Sequence, residues 1–174
     1  MQKPIATIRE ARVSDAAALA ILAEATFRET FQSSNTKEDM DLHCAEYFGV
    51  NIQSAEILTP AITTFVAEHQ ANLVGFAQLA LERPARRVSA DRPSELHRIY
   101  IASSWQGTGL ASRLLAAVLA AARGSKSDYI WLGVWEHNPK AIAFYLKAGF
   151  TFIGNHEFVL GRDRQRDRVM GLPL

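Results

Sequence analysis

Gln106-Gly107-Thr108-Gly109 stands between a strand-like run and a helix-like run, a setting that suits it to hold phosphate. Upstream, Leu96, Ile99 and Ile101 supply the apolar and β-branched positions of a strand. Downstream, Leu110, Leu114, Leu115, Val118 and Leu119 recur at helical spacing until Arg123-Gly124 ends the run with a basic last turn and a glycine. A glycine loop that feeds directly into a helix leaves backbone N–H groups unpaired at the positive end of the helix dipole, where phosphate oxygens are well accommodated. The expected chemistry is the binding of a phosphorylated ligand.

Two common phosphate motifs do not fit. A dinucleotide fingerprint needs a third small residue where Ser112 stands and an acid after the following strand, whereas Asp128 precedes Tyr129–Val134. A P-loop needs Gly-Lys-Ser/Thr, which the chain lacks. Gln106-x-x-Gly109-x-Ala111 instead resembles the pyrophosphate signature of the GCN5-related N-acetyltransferases (GNAT). A second motif follows in the order that family uses. Tyr129–Trp135 is a nearly unbroken apolar run of the kind expected for a strand buried on both faces. Asn138-Pro139 reads as an N-cap and first helical position, and Phe144-Tyr145 and Gly149-Phe150 match the family's aromatic-Tyr and Gly-Phe pairs.

The resemblance implies an enzyme that transfers an acetyl group from acetyl-CoA directly to a primary amine, with no metal. It assigns coenzyme contacts to the backbone of Ile99, Tyr100 and Ile101, to the loop and helix start Gln106, Gly107, Thr108, Gly109, Leu110, Ala111 and Ser112, and to Asn138 and Tyr145. The pantetheine enters a splay between the fourth and fifth strands. Tyr145 becomes the catalytic group beside the coenzyme sulfur, as acid or hydrogen-bond donor. The base stays open between Glu95, His97 and a water-linked route. Glu95 and His97 are two apart in a strand and are expected on one face. Some family members carry their catalytic glutamate in the register of Glu95 and others an acid in that of His97, while an acid in the place of Gly133 is ruled out here. An alkylamine is about one part in a thousand neutral at pH 7, so a proton acceptor is useful.

The elements that must position these groups form an α+β chain in the order β-α-α-β-β-β-α-β-α-β-β, a mixed, splayed sheet with helices on both faces, and one domain over 1–174. Ile5–Glu10 reads as the first strand. Ser14-Asp15 reads as the cap of a helix carrying Leu19, Leu22, Ala23 and Phe27. A helical stretch from Thr36 through Tyr47 follows, broken at Gly49, with more helix before Pro60. Ile62–Glu68 and Leu73–Leu81 read as a hairpin, Glu82–Ser94 as a long surface loop, and Thr151–Leu160 with Arg168–Leu172 as a final hairpin. Gly161–Arg168 alternates in charge and reads as its solvated tip.

Composition fits one core: 174 residues, 48% hydrophobic. A net charge of +1 argues against a general nucleic-acid binder. No apolar run of membrane-spanning length or leader-like segment occurs, so no membrane partner is expected. The single Cys44 fits a reducing, cytoplasmic setting. It lies in no motif and reads as a packing residue. The five histidines form no metal-binding spacing.

The acceptor is less sharply marked. Trp131–Glu136, Asn138, Ala141–Tyr145, the early Thr26-Phe27-x-x-Thr30-Phe31 and Arg98–Ile101 resemble the bacterial spermidine/spermine N-acetyltransferase branch. From Glu24 to Glu68 eight acids face Arg28 and Lys37, a net charge of −6 that would attract a polycation. A peptide or protein amine is the alternative acceptor, a non-catalytic acyl-CoA-binding module the alternative role, and the resemblance leaves a homodimer open.

Overall fold

The computed structural model describes residues 5–85 and 88–174. Strand β1 (Thr7–Glu10) leads through a 3₁₀ turn into α1 (Ala16–Phe31), followed by α2 (Lys37–Tyr47) and α3 (Val50–Leu58). Then come β2 (Ile62–His69), β3 (Asn72–Leu81), β4 (Pro93–Ile101), α4 (Leu110–Gly124), β5 (Tyr129–Trp135), α5 (Pro139–Lys147), β6 (Thr151–Leu160) and β7 (Asp163–Pro173). The expected order holds, with the second helical stretch resolved as two helices that meet at Gly49, the N-cap of α3.

The seven strands form one sheet in the order β1-β2-β3-β4-β5-β7-β6. Every neighbouring pair is antiparallel except β4–β5. That parallel pair is joined only at Pro93–Tyr129, Ser94–Ile130 and Glu95–Trp131, after which the strands diverge. Asp128 clamps the closed end, its carboxylate accepting from the backbone N–H of Asp91 (2.7 Å) and Arg92 (2.9 Å). The V-shaped gap beyond Glu95 is the feature around which the rest is arranged.

Each face of the sheet has its own core. Leu110, Leu114, Leu115, Val118 and Ala122 of α4 pack with Tyr145 of α5 against Leu96, Ile130, Leu132 and Val134. On the opposite face Leu19, Leu22, Ala23 and Phe27 of α1 join Met40 and Cys44 of α2 against Val66 and Phe76. The spacing of three and four along α1 and α4 places these side chains in one stripe per helix, which is why each helix lies on the sheet.

Three expectations change. Ser14 does not cap α1; Asp15 instead accepts from Arg12 N–H (2.7 Å) and from both Arg9 terminal nitrogens (2.7 and 2.9 Å). Residues 163–168 are not a hairpin tip but the first half of β7, with the turn reduced to Gly161–Arg162. That turn is docked rather than solvated: Arg162 N–H donates to Asp39 of α2 (2.9 Å), and its guanidinium pairs with Glu38. In the Glu82–Ser94 stretch Pro93 and Ser94 already belong to β4, while Arg86 and Arg87 of its arginine run lie outside the described residues. Among the described residues no helix is long and apolar enough to cross a membrane.

Candidate active site

Between the diverging strands lies a cleft of about 830 Å³. Its walls bring together His97, Ile99, Tyr100, Ile101, Gln106, Gly107, Gly109, Leu110, Ala111, Ser112, Asn138 and Tyr145, nearly all the positions singled out from sequence. Thr108 and Glu95 do not line it. Thr108 turns its hydroxyl back to the Trp105 carbonyl (2.7 Å), closing the loop on itself.

Glu95 belongs to the joined end of β4 and β5, short of the gap, and β4 carries an irregularity just beyond it. On β3, Gln78 pairs with Arg98 and its neighbour Leu79 with Leu96, so His97 is an extra residue in β4. Such a bulge shifts the alternation of side chains. Leu96, Ile99 and Ile101 therefore share the α4 face, while Arg98 and Tyr100 look to the other. Glu95 stays at the closed end beside Trp131, with its Oε1 3.5 Å from His97 Nδ1.

At the loop, Gly107 and Gly109 have φ of +73° and +86°, a backbone conformation costly for residues with a side chain. A Cβ on either would meet nothing within 4 Å, so conformation, not crowding, calls for glycine. The first bond of α4 runs from Arg113 N–H to the Gly109 carbonyl (3.2 Å), which leaves the amides of Leu110, Ala111 and Ser112 at the helix start without carbonyls of their own helix. Lys140, a residue the sequence reading missed, lines the same cleft and donates to the Gln106 side chain. Phosphate placed here would meet N–H groups, the helix dipole and an ammonium together.

Asn138 caps α5, its Oδ1 accepting from Ala141 N–H (3.1 Å), while its two amide donors remain for a ligand. Tyr145 is 7% exposed, and burial pushes its phenol well above the ordinary tyrosine range. A phenol so held keeps its proton beside a thiolate, whose own pKa lies near 8.5. Tyr145 is therefore suited to donate a hydrogen bond to a leaving sulfur rather than to give up its proton outright. Tyr100, half-buried, rises to about 12 because its surroundings disfavour the phenolate, and packs on Phe76 (5.7 Å).

The far end of the cleft is lined by Phe27, Glu29, Thr30, Phe31, Trp135, Phe158 and Asp167. The acidic surplus of the 24–68 segment does not gather there. Glu24 and Asp41 pair with Arg28, Glu38 and Asp39 with Arg162, Glu56 with Arg98 and Glu68 with Arg9. Of the eight acids, Glu29 is the one on the cleft wall. Among the described residues no cluster of histidine, cysteine and acidic side chains could hold a metal ion.

The acetyltransferase (GNAT) family pattern matches residues 21–150. An uncharacterised N-acetyltransferase of Mycobacterium tuberculosis is 34% identical over 162 residues, 91% of this chain and 97% of that protein. The spermine/spermidine N(1)-acetyltransferase of Bacillus subtilis is 32% identical over 91 residues, 52% of this chain and 60% of its own. The crystal structure of the PaiA N-acetyltransferase of Thermoplasma acidophilum in complex with coenzyme A superposes with a TM-score of 0.81 at 19% identity, covering 97% of this chain and 99% of that one. The cleft, the glycine loop at its mouth and these similarities together place the chain in the GNAT family, as an acetyl-CoA-dependent N-acetyltransferase.

Proposed function

We propose that this enzyme acetylates a primary amine of a small polycationic molecule, a polyamine of the spermidine or spermine class. The observation that carries this reading is the far end of the cleft, where Phe27, Phe31, Tyr100, Trp135 and Phe158 surround a space that also holds the carboxylates Glu29 and Asp167. Aromatic faces with nearby carboxylates attract ammonium groups. The partial similarity to the Bacillus subtilis spermine/spermidine enzyme supports it. The attraction is local to these groups, because the other acids of the helical segment are mostly neutralised by arginines.

In this reading the coenzyme phosphates rest on the amides from Gly109 to Ser112 with Gln106 and Lys140 beside them. Thr108 shapes the loop without touching the ligand. The pantetheine follows the Ile99–Ile101 edge of β4 opposite Gly133–Trp135, and Asn138 donates to it. Tyr145 hydrogen-bonds the sulfur. His97, at the bulge, and the carboxylates Glu29 and Asp167 are the groups placed to meet the amine. The gain comes mostly from holding amine nitrogen and thioester carbonyl in line. The single buried thiol and the acetyl-CoA requirement fit a cytoplasmic enzyme.

The test is an acceptor panel with acetyl-CoA: spermidine, spermine, a monoamine, and a peptide with a free α-amine. The polyamines should show the highest kcat/KM. Turnover of the peptide with none of the polyamines would replace this reading with peptide acetylation.

A further inference from the structure

Asp167 enters the cleft from β7. It is 8% exposed and its Oδ1 is buried without a hydrogen-bond partner among the described residues. A buried acceptor left in that state costs free energy that a donor arriving with a ligand would recover. Its other oxygen, Oδ2, lies 3.5 Å from His156 Nε2 on β6, in register across the hairpin.

The pair occupies ground that β5 vacates. A Cβ at Gly133 would come within 2.9 Å of His156 Cε1, 3.0 Å of Nε2 and 3.1 Å of Asp167 Oδ2. The backbone at Gly133 is ordinary extended strand, so the glycine is explained by its neighbours and not by its conformation. Removing one side chain from the lip of the cleft lets a carboxylate and an imidazole close over it.

The two members face different spaces. Asp167 lines the inner cleft together with Tyr145 and His97. His156, 34% exposed at its side chain, lines a separate outer depression of about 860 Å³ with Glu136, Glu157, Asp163, Arg164 and Arg166. An acid–base pair that touches the cleft on one side and an open polar depression on the other has the layout of a proton exit.

We propose that Asp167 takes the proton from the acceptor ammonium and that His156 passes it to the outer depression. This rests on amine acetylation taking place in the cleft. The ammonium R–NH3+ gives one proton to the Asp167 carboxylate, which hands it through His156 to solvent. The freed lone pair attacks the thioester carbonyl, and a C–N bond forms. As the tetrahedral centre collapses, the C–S bond breaks and the nitrogen, made strongly acidic by the new C–N bond, gives its second proton to water. The thiolate departs hydrogen-bonded to Tyr145 and takes up one proton from water. One proton is released overall for each amide made.

The titratable and charged groups around Asp167 are His156 from β6 and Tyr100 from β4, with His97 and Arg98 further along that strand and Glu29 on α1. From β5 it meets only Gly133 and Trp135. Tyr100, raised to about 12, keeps its proton throughout the working range.

The test compares the wild type with Asp167→Asn and His156→Gln on two kinds of acceptor. One is an amine protonated at neutral pH, taken as whichever of spermidine or the peptide the wild type acetylates. The other is trifluoroethylamine, whose fluorines keep it neutral at pH 7. Acetyl-CoA affinity by calorimetry reports that each variant is folded. With the protonated amine, Asp167→Asn should lower kcat/KM by about a hundredfold or more, and His156→Gln by roughly tenfold. The deficit should shrink as pH rises toward the pKa of the amine. With trifluoroethylamine both variants should stay within about threefold of wild type, since no proton needs removing before attack. An equal loss on both amines would make Asp167 a packing group, and a loss on the protonated amine confined to KM with kcat unchanged would make it a binding group; either overturns the proposal, as would no loss on either amine. A wild type that acetylates the peptide and not spermidine removes the polyamine reading while the peptide comparison still decides the role of Asp167. A wild type that acetylates none of these amines overturns both.

Discussion

Arg98 and Glu56 form an ion pair inside the protein, with Nη1 2.7 Å from Oε2 and only 9% of the Arg98 side chain exposed. Gln78 completes the group, accepting from Arg98 (2.9 Å) and donating to Glu56 (2.9 Å). The three residues tie α3 and β3 to the position just after the bulge, so they fix where β4 leaves the regular sheet. Removing Glu56 would strand a buried guanidinium, at a cost of about 3–5 kcal/mol. Glu56→Gln should lower the denaturation midpoint accordingly. The double variant Glu56→Leu with Arg98→Met should recover most of the loss, and the two midpoints measured by chemical unfolding decide the matter.

Gly109→Asp sets a negative charge where phosphate is to rest. Acetyl-CoA at a hundred times its dissociation constant should raise wild-type stability by about 2.7 kcal/mol. The variant should lose that increment, and its ligand-free stability should fall by about 1 kcal/mol, because a side chain at φ +86° is strained even though its Cβ meets no neighbour. Retained wild-type affinity would move the coenzyme elsewhere.

Tyr145→Phe keeps the ring that packs on Phe150 (5.8 Å between centroids) and removes only the hydroxyl. Loss of one preorganised donor to a developing anion lowers kcat by roughly a hundredfold. Coenzyme affinity should hold, so the effect separates cleanly into kcat. An unchanged kcat with chemistry rate-limiting reduces Tyr145 to packing.

Glu29→Gln should raise the KM for spermidine by several-fold and leave that of a monoamine nearly unchanged. In the wild type, added salt should weaken kcat/KM for the polyamine, since the Debye length falls from about 10 Å at 0.1 M to about 3 Å at 1 M. Glu38→Gln should have no such effect, because Glu38 is paired with Arg162 at the hairpin turn, away from the cleft. Steady-state kinetics at two ionic strengths test both statements.

His43 is stacked between the rings of Phe27 (4.4 Å) and Tyr47 (4.5 Å), and its Nδ1 has no partner among the described residues. Burial lowers its pKa from 6.5 to about 4. The unfolded chain therefore binds a proton that the folded chain refuses between those values. The stabilisation is whole above about pH 6.5 and is lost as pH falls to about 4, a change of about 2–3 kcal/mol. His43→Phe should flatten that part of the stability–pH curve, as followed by thermal unfolding from pH 7 to 4.

Much of this arrangement was legible from local pattern. The glycine loop, the α4 stripe and the Asn138 cap are each written in adjacent residues, and all three meet at the cleft. What escaped depends on distant partners. The acids of 24–68 read as an attractive wall because their counter-ions Arg9, Arg98 and Arg162 lie elsewhere in the chain. Glu95 misses the cleft because β4 is still paired with β5 there, through Trp131, and the bulge at His97 arises from pairing with β3; neither leaves a mark in β4 itself. Asp167 did carry a signal. In Arg162–Arg168 every second residue is arginine, which is the strand period, and it sets Asp163, Gln165 and Asp167 on one face. Attending to charge alone concealed it.

The three residue pairs that hold β4 to β5 make the middle of the sheet behave as a pair of inner edges. Four strands on one side and three on the other are hinged at Asp128 and unlatched beyond Glu95. A ligand that hydrogen-bonds to both lips would serve as an eighth strand, completing a ladder the chain leaves unfinished. Its departure would return the two halves to a looser union. In such a protein the coenzyme would be a tie-beam as well as a donor.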